Sequence, residues 1–206
     1  MRAFRGLTML SAIAASAGLL LASGATAASA APAASAASVH LRGGHTTVTT
    51  GKGIATALLG SGIVPLAAAP GSQWLTTRHG VKAHFGFPVT GGRVSLSPLG
   101  GRVEHRGGIL FINLKNGKQV KVGRFTINLN HGDLTGIVNG NPKARVPLFW
   151  LSLAHAKLKA GHHVVRASGI GLRLTKVAAG ALNQALGTHL FAAGLRFGTA
   201  ATVLRF

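Results

Sequence analysis

From Val81 to Leu174 the chain is written in short segments whose apolar and polar residues alternate, with Gly-rich pairs between them. In an extended chain successive side chains point to opposite faces, so alternation at period two marks strands with one buried and one wet face. Val81, Ala83, Phe85, Phe87 and Val89 form the first such stripe, and Lys82 and His84 face away from it. Gly91-Gly92 is expected to turn the chain into Arg93 to Leu96, and Pro98-Leu99-Gly100-Gly101 to turn it again into Arg102 to Arg106. Gly107-Gly108 precedes a strand over Ile109 to Leu114. Asn116-Gly117 is the strongest hairpin signal, because both residues tolerate the positive φ of a type I′ turn. The next strand, Gln119 to Leu129, shifts its alternation at Gly123, which predicts a bulge. Leu134 to Val138, Arg145 to Leu153 and Val164 to Leu174 continue the series. Strands this short and evenly spaced imply an all-β fold, an antiparallel sandwich or partly closed barrel, rather than alternating strands and helices. One or two short helices accompany it. Ile54 to Leu59 is brief, and Val177 to Leu186 has Thr175 as N-cap and Gly187 as its stop.

Ahead of this pattern stands a leader. Arg2 and Arg5 precede an apolar run from Leu7 to Leu21, followed by the small-residue cleavage patterns Ala25-Thr26-Ala27 and Ala28-Ser29-Ala30. Residues 1–30 are therefore expected to be a secretory signal peptide. Ser11, Ser16 and Gly18 dilute the run, which is shorter than the roughly 20 apolar residues of a spanning helix. No transmembrane segment is expected after cleavage. Residues 31–44 read as a flexible Ala/Ser/Gly-rich lead-in and 45–206 as one β domain, secreted or associated with the cell envelope. The chain has no cysteine. An exported fold without disulfides rests on burial and backbone hydrogen bonds, and thiol chemistry is excluded.

Charge narrows the function. Twenty-two Lys and Arg stand against two acids, Glu104 and Asp133, for a formal charge of +20, or +18 without the two leader arginines. The basic residues are spread among the strands and form no block, so they are expected on outward strand faces. Such a surface attracts anionic polymers at long range. Arg102, Arg106, Lys115, Lys118, Lys121 and Arg124 are the candidate contacts for an anionic envelope polymer. Acid unfolding acts mostly through native carboxylates. A chain with two of them is also suited to an acidic exterior.

Several segments together resemble HtaA-type domains. Leu174-Thr175 followed by the Ala-rich Lys176 to Leu182 and then by Phe191-Ala192-Ala193-Gly194 is similar to their closing segment. Phe87-Pro88-Val89-Thr90-Gly91-Gly92 resembles their opening strand and turn, and Gly101 to Gly108 and Gly132-Asp133-Leu134 resemble their middle hairpins. The likeness spans about Thr46 to Phe206. It implies a β-rich domain of an exported actinobacterial protein that binds haem. In the family a tyrosine holds the iron; this chain has none, and Phe191 occupies the closing aromatic position. The family's mid-hairpin Gly-His-Asp-Gly falls at Leu114-Lys115-Asn116-Gly117, without its histidine. Haem, the second candidate ligand, would then need a histidine, and His105 is the candidate because it shares a strand face with Val103.

Other chemistry finds little support. His162 and His163 are neighbours, which divides them between faces of a strand, and no spacing of the ten histidines suggests a shared metal. Two acids are a poor supply for paired-carboxylate hydrolysis, and neither a Gly-x-Ser-x-Gly elbow nor a phosphate loop is present. No enzymatic activity is expected. Specific nucleic-acid binding would want stacking platforms, whereas Phe85, Phe87, Phe125 and Phe149 alternate as core residues. Trp150 is expected in the core and Trp74 in a loop where it could make contacts. The closing Thr202, Leu204 and Phe206 alternate as in outer-membrane barrels, but the aromatic girdles of such barrels are missing.

Overall fold

A computed structural model describes residues 38–206; the expected signal peptide and residues 31–37 of the lead-in lie outside the described residues. Of the expected flexible lead-in, Ser38–His40 and Gly43-Gly44 are paired strand residues, joined through Leu41 and Arg42. The reason is local: Val39 packs on the core and Leu41 is buried. The strands are β1 (Ser38–His40), β2 (Gly43–Thr50), β3 (Ile63–Ala68), β4 (Ser72–Thr76), β5 (Lys82–Leu96), β6 (Leu99–His105) and β7 (Gly108–Asn113). They continue as β8 (Gln119–Asn128), β9 (Asp133–Val138), β10 (Arg145–Ser152), β11 (Lys157–Gly161), β12 (Val164–Leu174) and β13 (Arg196–Arg205). Two helices, α1 (Ile54–Gly60) and α2 (Lys176–Leu186), follow β2 and β12.

Eight of these strands close a ring, β5-β2-β13-β12-β10-β9-β8-β6, and β6 pairs back onto β5. All pairings between named strands are antiparallel, as the Gly-rich hairpins imply. Closure removes the exposed edges that an open sheet would leave. The remaining strands extend the ring because three long strands change partner along their length. β5 passes from β4 to β6 along one edge, β8 from β7 to β6, and β12 from β11 to β10.

The alternation read from the sequence sets the inside of the barrel. Ala83, Phe85, Phe87 and Val89 of β5 point inward with Val103, Ile127, Leu134, Leu172 and Leu204. Phe87 meets Phe125 edge to face, with ring centroids 4.9 Å apart. The outer faces carry Arg102, Glu104, Arg124, Arg145, Arg166 and Arg173, all exposed. This polarity is the reverse of a membrane-spanning barrel, whose outer face is apolar and whose lumen is polar. No helix among the described residues is long and apolar enough to cross a membrane.

Gly91-Gly92 does not turn the chain. β5 runs through it, and the register with β6 shifts between Val89 and Gly91. Gly92 sits at φ 122°, and a Cβ there would lie 2.1 Å from the Arg102 carbonyl oxygen. The glycine pair thus marks a bulge where β6 closes onto β5. The Gly123 bulge forms as expected: β8 and β9 lose register between Gly123 and Thr126, with Arg124 in the left-handed region at φ 49°. At Asn116-Gly117 only Gly117 is left-handed, so the turn is longer than type I′. The Asn116 side chain instead donates to the Leu186 carbonyl at the end of α2, as does that of Asn113. Thr175 caps α2 by accepting from Ala178 N–H, and Gly187 ends it at φ 61°. A register shift between Pro147 and Phe149 moves Trp150 out of the core to 51% exposure, against the expectation of burial.

Candidate functional site

β6 divides two environments because its residues alternate. Arg102 and Glu104 face out, while Val103 and His105 face in. The bulge in β8 turns Arg124 outward and returns Phe125 to the core. Arg145, at the start of β10, lies across β9 and β8 from the other side. Its Nη1 donates to Thr135 Oγ1 at 3.0 Å and to Thr126 Oγ1 at 3.2 Å, and its Nη2 donates to the Arg124 carbonyl at 3.2 Å. The result is a recess of about 630 Å³ on the outer wall, lined by Arg102, Arg106, Arg124 and Arg145 with Thr90, Thr126, Asn128 and Thr135. Glu104 is its single acid.

Like charges at this density are held against their mutual repulsion. Partial burial, and then the positive charges of Arg124 and Arg102, push the Arg145 pKa below its ordinary value, while Glu104 opposes them. A guanidinium remains charged in such surroundings, and its fork of donors matches planar oxyanions. A second recess of about 760 Å³ continues this surface along β5 and β6. It shares Arg102, Glu104 and Asn128 with the first and adds His40, Arg93 and His131.

The six basic residues singled out from the sequence divide between two places. Arg102, Arg106 and Arg124 come together in the recess. Lys121 lies on the half of β8 that pairs with β7, and Lys115 and Lys118 stand in the β7–β8 turn, Lys118 beside Gly187 at the end of α2 and Lys115 beside Gly62 after α1. Arg145 was not among the candidates. It lies 19 and 21 residues from its partners on β8, and nothing in its local sequence separates it from the other scattered basic residues.

His105 points into the barrel, as its phase with Val103 implies, and is 4% exposed. Both ring nitrogens are engaged. Nε2 is 2.8 Å from Thr46 Oγ1, and Nδ1 is 3.4 Å from the Phe125 carbonyl. Thr46 Oγ1 is in turn 2.8 Å from Thr202 Oγ1, which lies 3.3 Å from the His45 carbonyl. Burial lowers the His105 pKa to about 4, with the Phe125 carbonyl acting in the opposite direction. On the lumen side the space beside the ring is about 30 Å³ and walled by Phe87, Phe125, Phe149 and Phe197. His105 also borders the arginine recess, but its burial and its two engaged nitrogens leave no free ring nitrogen there. A haem does not fit there, and an iron ligand at this position would have to abandon the bond to Thr46.

Trp74 lies on β4 rather than in a loop and stacks on His84, with ring centroids 5.0 Å apart and 4° between planes. Thr49 and Thr76 hold the two nitrogens of that imidazole at 3.0 Å and 2.9 Å. His162 and His163 sit at the β11–β12 turn with ring centroids 3.9 Å apart, so the turn brings together rings that a strand would separate. Among the described residues no three His, Asp or Glu side chains come together.

These features define a closed, disulfide-free antiparallel barrel with an apolar lumen and an arginine-lined outer wall. The fold is of the HtaA type. It is similar to the crystal structure of the C-terminal domain of HtaA from Corynebacterium glutamicum, with a TM-score of 0.52 and 13% identity over 79% of this chain and 98% of that one. A histidine-to-alanine variant of the same domain, crystallised as a domain-swapped dimer, matches with a TM-score of 0.51 and 15% identity over 73% of this chain and 88% of that one. The haem-binding protein HtaB from the same organism matches with a TM-score of 0.46 and 10% identity over 82% and 96% of the two chains. No protein-family description and no curated protein matches the sequence.

Proposed function

We propose that this domain binds anionic polymers of the cell envelope, without catalysis, through the arginine-lined recess on its outer wall. The observation that carries the reading is the convergence of Arg102, Arg106, Arg124 and Arg145 around one acid. Arg102, Arg124 and Arg145 stand on β6, β8 and β10, and Arg106 directly follows β6, so the sheet sets the spacing of the backbone positions that carry the guanidinium groups. The adjoining recess, which shares Arg102, makes the cationic surface a track. A track suits a chain of anionic groups better than a single small anion. With only Glu104 and Asp133 as acids, there is little on this surface to repel such a polymer or to hydrolyse it.

The test is retention of the purified domain on an immobilised linear polyanion, with polyphosphate as the probe, at rising sodium chloride. Exposed charge contacts are screened within about 10 Å at 0.1 M salt. Retention is expected to fall steeply between 50 mM and 500 mM, and retention indifferent to salt would rule out charge as the anchor.

A second reading, favoured by the fold alone, is a haem-binding module. The fit around His105 is poor, so the ligand would have to come from another residue. Titration of hemin into the domain, followed at the Soret band, separates the two readings. A saturable band shift that survives His105→Ala would support haem bound elsewhere, and no shift would remove haem from consideration.

A further inference from the structure

The lumen of the barrel has its own cavity, on the opposite face of β6 from the arginines. It measures about 100 Å³ and its wall is apolar. The floor is fully buried, formed by Val165, Leu172 and Leu204 with Thr46 and Thr202. The two threonine hydroxyls are committed to each other, to His105 and to the His45 carbonyl. They leave methyl groups to face the cavity. Water entering this space would find no polar partner, and a dry apolar cavity is the kind that takes up apolar ligands.

The rim is the unusual part. Leu96 at the end of β5, Leu99 at the start of β6, Leu153 in the β10–β11 loop and Leu158 on β11 line the same cavity and are 37%, 42%, 46% and 51% exposed. Four half-exposed leucines around one opening, on a surface otherwise rich in lysine and arginine, mark a contact surface rather than a packing requirement. The volume is below the roughly 150 Å³ of a cavity that holds benzene. It therefore suits the end of one alkyl chain and not a fused ring system. Lys157 is the single charged residue that lines the cavity, and no acid does.

We propose that the barrel mouth takes a single-chain amphiphile with an anionic head, the last carbons of its alkyl tail entering the cavity to end on the methyl groups of Thr46 and Thr202, the rest of the tail lying along the four rim leucines and the head paired with Lys157. The site is independent of the arginine recess and stands whether or not that recess binds a polymer. Ligand pockets recur at the mouths of barrels because the lumen supplies apolar walls and the rim a few polar groups.

The experiment uses dodecanoate kept monomeric, titrated calorimetrically into the domain, with dodecanol as the neutral counterpart. Saturable one-to-one uptake of dodecanoate is expected. The double variant Leu99→Glu/Leu158→Glu, at two exposed positions, is expected to weaken uptake of both compounds at least tenfold while circular dichroism stays that of the parent. Lys157→Gln is expected to weaken dodecanoate about tenfold and to leave dodecanol unchanged. Absence of saturable uptake, or uptake indifferent to the two glutamates, would overturn the site. Adsorption to anionic phospholipid vesicles without uptake of the monomer would also overturn it, because it would assign the leucines to a bilayer surface.

Discussion

Lowering the pH from 7 to 4 is expected to cost this fold about 3 kcal/mol through one side chain, His105. The imidazole sits inside the barrel, and burial brings its pKa from 6.5 down to about 4. The folded state therefore binds fewer protons than the unfolded chain between these values, and stability rises with pH across that window. The contribution is fully present above pH 6.5 and lost as pH falls to 4. The hydrogen bonds do not oppose protonation. Thr46 donates its one hydroxyl proton to Thr202, which donates to the His45 carbonyl, so neutral His105 either donates from Nε2 into that chain or donates from Nδ1 to the Phe125 carbonyl. The imidazolium can do both donations at once. What it loses is water, so the cost is desolvation. Urea denaturation at pH 7 and pH 4 measures it, and His105→Gln, neutral at both, is expected to flatten the difference. An equal pH dependence in the two proteins would show that other groups carry it. The scarcity of carboxylates suggests acid tolerance, and the structure adds one acid-sensitive residue to that picture. A domain with the usual 5–15 kcal/mol of stability remains folded at pH 4 with this loss.

Between Val81 and Leu174 the strands were legible where one face is buried and the other wet, whereas β2, whose buried face is largely threonine, and the short β3 were not. β5, β8 and β12 keep their alternation because each side of the ring sees a different solvent. β4 and β11 are exposed along their whole length, and a strand with no buried face leaves no stripe to read. Gly91-Gly92 misleads as a turn signal for a physical reason: the same absence of a Cβ serves a tight turn and a close approach of two strands, and here the Arg102 carbonyl occupies the space. The inward direction of His105 followed from its phase with Val103. Its partners did not, because Thr46 lies 59 residues away on β2 and reaches Thr202 on β13 only through closure of the ring. The leucine mouth is assembled from the ends of β5 and β6, the β10–β11 loop and β11, each of which contributes a single leucine with nothing to set it apart locally.

Closure also decides which cations matter, and this gives the second large effect. Replacing Arg102, Arg106 and Arg124 together by Gln is expected to weaken binding to polyphosphate about 100-fold at 50 mM salt. The same change at Lys115, Lys118 and Lys121 is expected to weaken it about threefold. Both triple variants lose three formal charges from exposed positions, so the long-range attraction falls equally in each. The difference lies in contact. The arginines converge in one recess, where Arg145 is already pinned by Thr126 and Thr135 and completes the set. A polymer there releases counterions and gains bidentate bonds. The lysines stand around the β7–β8 turn outside the recess, as separate, well-hydrated point charges. Each direct phosphate contact removed lowers the slope of log affinity against log salt by roughly one. The arginine variant should therefore show a flatter salt dependence than the parent, and the lysine variant a nearly parallel one. Equal losses in the two variants would make total charge the determinant and would leave the recess without a specific role.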